Sequence, residues 1–152
     1  MTPVAQGRGL MTPVVQGRAL MVPVVVDANV IAHLLLPSQH TAAVEALRRA
    51  HPAWASAKLW RYEFANVLWK HHASGGLATE AVLQVWESTR ILNLLERDPE
   101  PREALRLAVE SGVSAYDCQF VALARELGAP LYTFDARVLH AFPDLAVRPD
   151  KA

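Results

Sequence analysis

A carboxylate, Asp27, lies within the largely apolar segment formed by residues 22–36. The three valines that precede it, residues 24–26, are β-branched and favour a strand, and a short strand that is apolar throughout is typical of a sheet covered on both faces. Ile31, Leu34 and Leu35 then recur at helical spacing. The segment therefore predicts a buried strand that turns into a helix at Asp27, which is where open α/β sheets bind their ligands.

Asp27 also has a second explanation, which the segment by itself leaves open. Aspartate is a favoured N-cap residue, so its side chain can simply cap the helix that follows. The other acidic residues of the chain are needed to decide between a cap and a functional site.

The rest of the chain alternates short strand-like segments with helical ones. Strands are predicted within residues 53–57, 130–134 and 145–149, and helices over 41–50, 58–72, 79–95, 101–112, 114–127 and 135–142. Short strands that alternate with helices indicate a parallel sheet in an α/β layer fold. We therefore expect a central, mostly parallel sheet of four to five short strands flanked by helices.

Length and composition fit one globular domain. The chain has 152 residues, of which 52% are hydrophobic, and its formal net charge is zero. It has no apolar run of the roughly 18 residues that a membrane helix requires. Its only cysteine, Cys118, excludes an intrachain disulfide framework and fits the reducing cytoplasm, where we expect the protein to reside.

The first twenty residues contain a duplication. MTPVAQGRGL is followed by MTPVVQGRAL, and Met21 begins a partial third copy. Two copies of so short a unit cannot bury a common face, so a solenoid is excluded. We interpret residues 1–21 as a flexible leader, with Met1, Met11 or Met21 as alternative translation starts, and residues 22–150 as the folded domain.

A second acidic residue, Glu63, falls on an apolar stripe of the helix predicted over 58–72. Leu59, Glu63 and Val67 are four residues apart and therefore share one face. A glutamate that faces a core is unfavourable unless it is paired or binds a metal. The alternative is that it lies at the rim of the stripe with its carboxylate in water.

Two more acidic residues begin helices. Ser114 and Asp117 fit the capping-box pattern, with Ser114 at the N-cap and Asp117 at N3, in the first helical turn. Asp135 directly follows a predicted strand and, like Asp27, stands where a strand ends and a helix begins. Capping alone explains each of them individually.

Taken together, the four acidic residues predict a common site. The ends of parallel strands converge on one edge of a sheet. Carboxylates gathered there repel one another, and their pKa values rise unless a cation neutralises them. Oxygen ligands without Cys or neighbouring His favour Mg²⁺ or Mn²⁺, and such an ion, or a pair of them, can assist phosphodiester hydrolysis.

Four segments carry a resemblance to a known family: VVVDANVIAHLL, LWRYEFANVL, GVSAYDCQFVALARELGAPLYTFD and ARVL. In this order they resemble the PIN-domain ribonucleases, and in particular the VapC-type toxins of toxin–antitoxin pairs. The resemblance covers residues 22 to about 148 and implies a PIN-like three-layer fold. By position, Asp27, Glu63, Asp117 and Asp135 match the catalytic and metal-binding acids of the family, with Asn29 and Thr133 as supporting polar residues.

The resemblance implies a Mg²⁺- or Mn²⁺-dependent endoribonuclease that cleaves single-stranded RNA, is inhibited by a cognate antitoxin and forms a homodimer. A PIN-like nuclease outside a toxin–antitoxin pair is one alternative. A phosphohydrolase with Asp27 as nucleophile is another, although such enzymes usually carry a second aspartate where this chain has Asn29. A third alternative, an RNA-binding domain without activity, is disfavoured by the complete set of four acids.

Overall fold

The computed structural model describes residues 21–152, and the predicted leader falls outside this range except for Met21. In the described range the strands are β1 (Val24–Val26), β2 (Trp54–Ala57), β3 (Leu95–Arg97), β4 (Leu131–Tyr132) and β5 (Ala146–Val147). The α-helices there are α1 (Ala28–Leu35), α2 (Thr41–Ala50), α3 (Trp60–Ala73), α4 (Thr79–Ser88), α5 (Pro101–Ser111), α6 (Ala115–Leu127) and α7 (Ala136–Ala141). None of these helices is long and apolar enough to cross a bilayer.

The strands form one parallel sheet of five strands in the order β3-β2-β1-β4-β5. This confirms the predicted α/β class and strand number. Strand β1 occupies the centre because it is apolar on both faces, and all three of its valines are buried. Val25 is in register with Ala55 of β2 on one side and Leu131 of β4 on the other.

Successive strands are added to the sheet first on one side of β1 and then on the other. From β1 the chain adds β2 and then β3 on one side, and later adds β4 and then β5 on the other side. Helices leave such neighbouring strands in opposite directions, and the crevice at their carboxyl ends is where open α/β sheets bind ligands. The carboxyl ends of β1 and β4 therefore define the most favourable place for a site in this fold.

Helix α6 carries the most continuously buried helical segment and packs against β1, β2 and β4. Its residues Phe120–Ala124 are buried, as is Cys118, in a core that extends along the chain from Val24 to Ala146. The helix ends at Gly128, whose φ of 61° lies in the left-handed region that glycine adopts without strain. This packing fixes the first turn of α6, which contains Asp117, relative to the sheet.

The prediction of one helix over residues 79–95 is wrong. Helix α4 ends at Ser88, a 3₁₀ turn covers Thr89–Leu92, and β3 follows. Asn93 adopts a left-handed conformation with φ of 46°, which ends the helical segment without glycine or proline. Strand β3 is an edge strand that pairs only with β2, and its burial is partial, so it lacks the apolar pattern of the inner strands.

Candidate active site

Asp27 lies at the carboxyl end of β1 and is only 8% exposed. Its Oδ1 accepts hydrogen bonds from the backbone N–H groups of Asn29, at 3.1 Å, and Val30, at 3.2 Å. The predicted cap of α1 is therefore confirmed. Capping engages one carboxylate oxygen, so it does not exclude a second role for this residue.

The other oxygen of Asp27 is held by side chains from two strand ends. Its Oδ2 accepts a hydrogen bond from the Asn29 side-chain amide at 2.9 Å and one from the hydroxyl of Thr133. Thr133 is fully buried, and its Oγ1 accepts the backbone N–H of Asp135 at 3.0 Å. The Asn29 carbonyl oxygen accepts the backbone N–H of Phe134 at 3.2 Å. Asn29 and Thr133 thus connect the carboxyl ends of β1 and β4.

Glu63 lies at the rim of the buried face of α3. Trp60, Phe64 and Leu68 of this helix are buried, whereas Glu63 is half-buried. Burial raises the pKa of Glu63 to about 7, and the carboxylates of Asp117 and Asp135 add to this rise. The carboxylate is therefore at the rim, as the alternative interpretation held, but its surroundings disfavour the charged form.

As predicted, Asp117 lies in the first turn of α6, and Asp135 lies at the junction between β4 and α7. The hydroxyl oxygen of Ser114 accepts the backbone N–H of Asp117 at 3.1 Å, which confirms the N-cap of α6. Asp135 caps α7, because its Oδ1 accepts the backbone N–H groups of Arg137 and Val138. Both carboxylates are half-buried, and each retains an oxygen that is not used in the cap of its helix.

The four carboxylates are electrostatically coupled. Burial raises the pKa of Asp27 to about 7, against the opposing hydrogen bonds of Thr133 and Val30, and the charges of Glu63 and Asp117 raise it further. Burial also raises the pKa of Asp117, and the charge of Asp135 acts in the same direction. Each acid therefore faces at least one other. The fold therefore places these acids, which lie on four separate elements, within electrostatic range of one another.

This coupling suits the acids to the binding of a cation. Like charges that raise one another's pKa values are stabilised when a positive ion is present. Within residues 21–152, however, no three side chains of His, Cys, Asp or Glu are arranged so that they alone could hold a metal ion. The donor chemistry fits a hard divalent ion that retains water molecules among its ligands.

Three further residues at this edge were not among the predicted site residues. Tyr62 precedes Glu63 and is 78% exposed, and Tyr116 precedes Asp117 and is 67% exposed. The guanidinium of Arg137 opposes the rise in the pKa of Asp117. The repeated order of tyrosine before acid was visible in the sequence, but whether such a ring is buried or exposed depends on the packing of α3 and α6.

Comparison with known proteins identifies the family of the chain. The family model described as PIN domain matches residues 24–145. The chain is 33% identical over 124 residues to ribonuclease VapC3 of Pyrobaculum aerophilum, and this alignment covers 79% of the chain and 95% of the relative. It is 34% identical over 82 residues to exonuclease VapC9 of the same organism, covering 51% of the chain and 59% of the relative.

Solved structures share the fold. The crystal structure of PAE2754 from Pyrobaculum aerophilum matches with a TM-score of 0.70 and 26% identity, covering 88% of this chain and 93% of that one. A toxin–antitoxin complex from Klebsiella pneumoniae matches with a TM-score of 0.63 and 15% identity, covering 85% and 99% respectively, and this likeness shows the fold alone. The chain therefore belongs to the PIN domain family, in the branch that includes VapC3.

Proposed function

We propose that this chain is a metal-dependent endoribonuclease that cleaves single-stranded RNA and serves as the toxin of a VapBC-type toxin–antitoxin pair. The observation that carries the proposal is the coupling of Asp27, Glu63, Asp117 and Asp135 at the carboxyl edge of the sheet. The name of the relative VapC3, a ribonuclease, supports RNA as the substrate. VapC9 is named an exonuclease, so the endonucleolytic mode is the part that most needs a direct test.

Mg²⁺ or Mn²⁺ is the proposed cofactor, and the four carboxylates would hold it. Magnesium ions commonly keep several water molecules and bind one or two carboxylates directly, which is compatible with the absence of a three-ligand cluster among the described residues. A bound ion would supply a more acidic water molecule and stabilise charge on the phosphodiester during hydrolysis.

The protein's own contribution is to hold the acids in place before the ion and the RNA arrive. Asp27 is fixed through both carboxylate oxygens, and Thr133 links it to the backbone of Asp135. Asn29 and Thr133 are therefore positioning residues in this proposal. Such preorganisation reduces the reorganisation that the transition state would otherwise require.

The proposed partners are a cognate antitoxin and a second copy of the chain. The relationship to VapC3 supports the antitoxin, because the chain resembles the VapC-type toxins of toxin–antitoxin pairs. Large apolar side chains exposed on α3, on α4 and in the 3₁₀ turn that follows α4 support the homodimer. We expect the antitoxin to be a small protein encoded beside this gene.

The decisive experiment is cleavage of a circular single-stranded RNA with Mg²⁺ or Mn²⁺, with and without EDTA. A circle has no ends, so its conversion to linear products requires an endonuclease. We expect cleavage with the metal and none with EDTA. A mock preparation from cells that do not express the chain is the control for contaminating ribonucleases, and Glu63→Gln, purified in the same way, tests the acids. Glu45→Gln, an exposed acid on α2, is the matched control for charge removal.

Two outcomes would count against parts of the proposal. Degradation of linear RNA alone, with the circle intact, would replace the endonuclease with an exonuclease. Cleavage that persists in EDTA, or at full rate in Glu63→Gln, would contradict a metal site made by the four acids.

A further inference from the structure

A second cavity adjoins the one that is lined by two of the four acids. The acidic cavity, of about 390 Å³, is lined by Glu63 and Asp117 together with Tyr116. The neighbouring cavity, of about 560 Å³, lies toward the start of α3 and the loop after β3. Leu59 and Tyr62 line both cavities. The exposed Tyr62 ring therefore stands between the carboxylates and a separate binding volume.

The second cavity has the chemistry of a site for a flat, partly polar molecule. Leu59, Pro99 and Pro101 provide apolar walls, and Gln119 contributes an uncharged amide that can both donate and accept hydrogen bonds. The combination of apolar walls with a few polar groups, in a volume of several hundred Å³, is typical of small-molecule sites. Tyr62 adds an aromatic face at the boundary with the acids.

Lys58 gives the same cavity a positive charge. Its ammonium lies 3.7 Å from a carboxylate oxygen of Asp98, and both side chains are 59% exposed. An ion pair so long and so exposed contributes little stability. Lys58 is therefore free to exchange this carboxylate for a phosphate. Its charge matters because residues 22–152 carry two more acids than bases: 15 acids against the 13 bases that remain without Arg8 and Arg18.

We propose that this cavity binds one nucleobase of single-stranded RNA, adjacent to the phosphate that is cleaved at the acids. Tyr62 stacks on the base, Gln119 hydrogen-bonds to its edge, and Lys58 contacts a neighbouring phosphate. The inference rests on the proposed ribonuclease function and extends it to substrate recognition. It makes Tyr62 a substrate-binding residue and Gln119 a specificity-determining residue.

The aromatic ring of Tyr62, which lines both cavities, favours single-stranded RNA as the occupant. Proteins that recognise single-stranded RNA splay its bases apart, stack them on aromatic side chains and hydrogen-bond their exposed edges. Because Leu59 and Tyr62 line both cavities, a base can bind in the second cavity while its own backbone passes Glu63 in the first. Paired bases in a duplex cannot enter such a cavity.

The test measures RNA affinity separately from catalysis. Fluorescent oligo(A), oligo(C) and oligo(U) of ten nucleotides are bound to Glu63→Gln protein in Mg²⁺, and Kd is obtained from anisotropy. The same RNAs give KM and kcat with the otherwise unmodified chain. Tyr62→Ala is compared with Tyr62→Phe, which keeps the ring. Gln119→Leu is compared with Gln84→Leu, the removal of an exposed amide on α4.

If Tyr62 stacks on one base, Tyr62→Ala should raise Kd and KM by about 5- to 100-fold with little change in kcat. Tyr62→Phe should remain close to the unmodified chain. Gln119→Leu should change the order of preference among the three RNAs, whereas Gln84→Leu should not.

Unchanged Kd and KM in Tyr62→Ala would overturn the inference and leave the cavity to a protein partner. So would a base preference that Gln119→Leu does not alter. If instead the unmodified chain cleaves none of the RNAs with Mg²⁺ or Mn²⁺, the proposed function fails. The anisotropy data would still show whether Tyr62 contributes to RNA binding.

Discussion

Thr133 donates a hydrogen bond from its hydroxyl to Oδ2 of Asp27, although 106 positions separate the two residues in the chain. The same hydroxyl oxygen accepts the backbone N–H of Asp135 at 3.0 Å. One buried side chain therefore sets the distance between a carboxylate at the end of β1 and the residue that follows the end of β4. Thr133 also opposes the rise in the pKa of Asp27.

Replacement of Thr133 by valine tests this relationship. Valine has nearly the same shape but leaves the Asp135 N–H and Asp27 Oδ2 without their buried partner. We expect a loss of about 1–3 kcal/mol in the free energy of unfolding, measured by urea denaturation. Because the hydrogen bond stabilises the carboxylate, the pKa of Asp27 should rise further, and the pH at which activity appears should rise with it.

Thr133→Ser is the matched control, since it keeps the hydroxyl and removes only a methyl group. We expect it to retain the pH profile of the unmodified chain, even if it lowers stability. If Thr133→Val and Thr133→Ser have the same pH profile, the hydroxyl does not position Asp27.

Amide substitutions test the four acids as one unit. In the assay with Mg²⁺ or Mn²⁺ and single-stranded RNA, Glu63→Gln should abolish cleavage, because the amide keeps the shape of the side chain but removes a charged ligand. In metal-free buffer at pH 8 the same change should preserve or raise the melting temperature, because it relieves the repulsion by Asp117 and Asp135. Asp117→Asn and Asp135→Asn should follow the same pattern, since asparagine caps helices about as well as aspartate. Asp27→Asn should also abolish cleavage but should lower stability, because its amide nitrogen cannot accept the hydrogen bonds that Oδ2 receives from Asn29 and Thr133.

Glu63→Gln is the most informative of these variants, because Glu63 has no capping role that complicates the result. Turnover of a single-stranded RNA and metal-free melting are measured on each protein. A fully active Glu63→Gln would remove this residue from the site. If activity survives in all four variants, Asp27, Asp117 and Asp135 have no role beyond the start of their helices.

The metal-free protein should lose stability as the pH rises toward neutrality. The folded-state pKa values of Asp27 and Glu63 are raised to about 7, above their ordinary values of 3.8 and 4.5. Between about pH 4 and pH 7 the folded state therefore binds more protons than the unfolded state, and the free energy of unfolding falls as pH increases. Saturating Mg²⁺ or Mn²⁺ should flatten this slope, because the ion stabilises the charged forms.

The contribution of these two acids is isolated by comparing the unmodified chain with the double variant Asp27→Asn, Glu63→Gln. Urea denaturation across pH 5 to 8 in EDTA gives the slope for each. We expect a steeper decline in the unmodified chain. Equal slopes would show that these carboxylates titrate normally in the folded protein.

Much of the site could be predicted because its residues stand at junctions that local chemistry defines. Three β-branched residues precede Asp27, and the Ser114-to-Asp117 spacing identifies the first turn of α6. On the sequence alone, cap and site residue are alternative interpretations of Asp27. The structure places the cap on one carboxylate oxygen and the hydrogen bonds from Asn29 and Thr133 on the other, so the cap does not exclude the proposed role in the site.

The parts that could not be predicted depend on tertiary packing. Strand β3 is formed by Leu95–Arg97, which have no β-branched residue and gain their strand geometry from pairing with β2. Helix propensity continues through this region, and the left-handed Asn93 that interrupts it carries no distinctive signal.

Large apolar side chains on α3, on α4 and in the turn that follows lead to a prediction about assembly. Trp69 is 61% exposed, Leu83 is 61% exposed and Ile91 is 75% exposed, and the elements that carry them pack against one another. Apolar surface of this kind is typical of protein interfaces. We therefore expect a homodimer at micromolar concentration, measured by light scattering coupled to size exclusion.

Leu83→Lys should shift the protein toward the monomer, because dimerisation would bury an unpaired charge. The control is Val109→Lys, which places the same charge at an exposed valine on α5, 78% exposed, and should leave the dimer intact. A monomer across the micromolar range, or dissociation by Val109→Lys and not by Leu83→Lys, would contradict dimerisation through this surface.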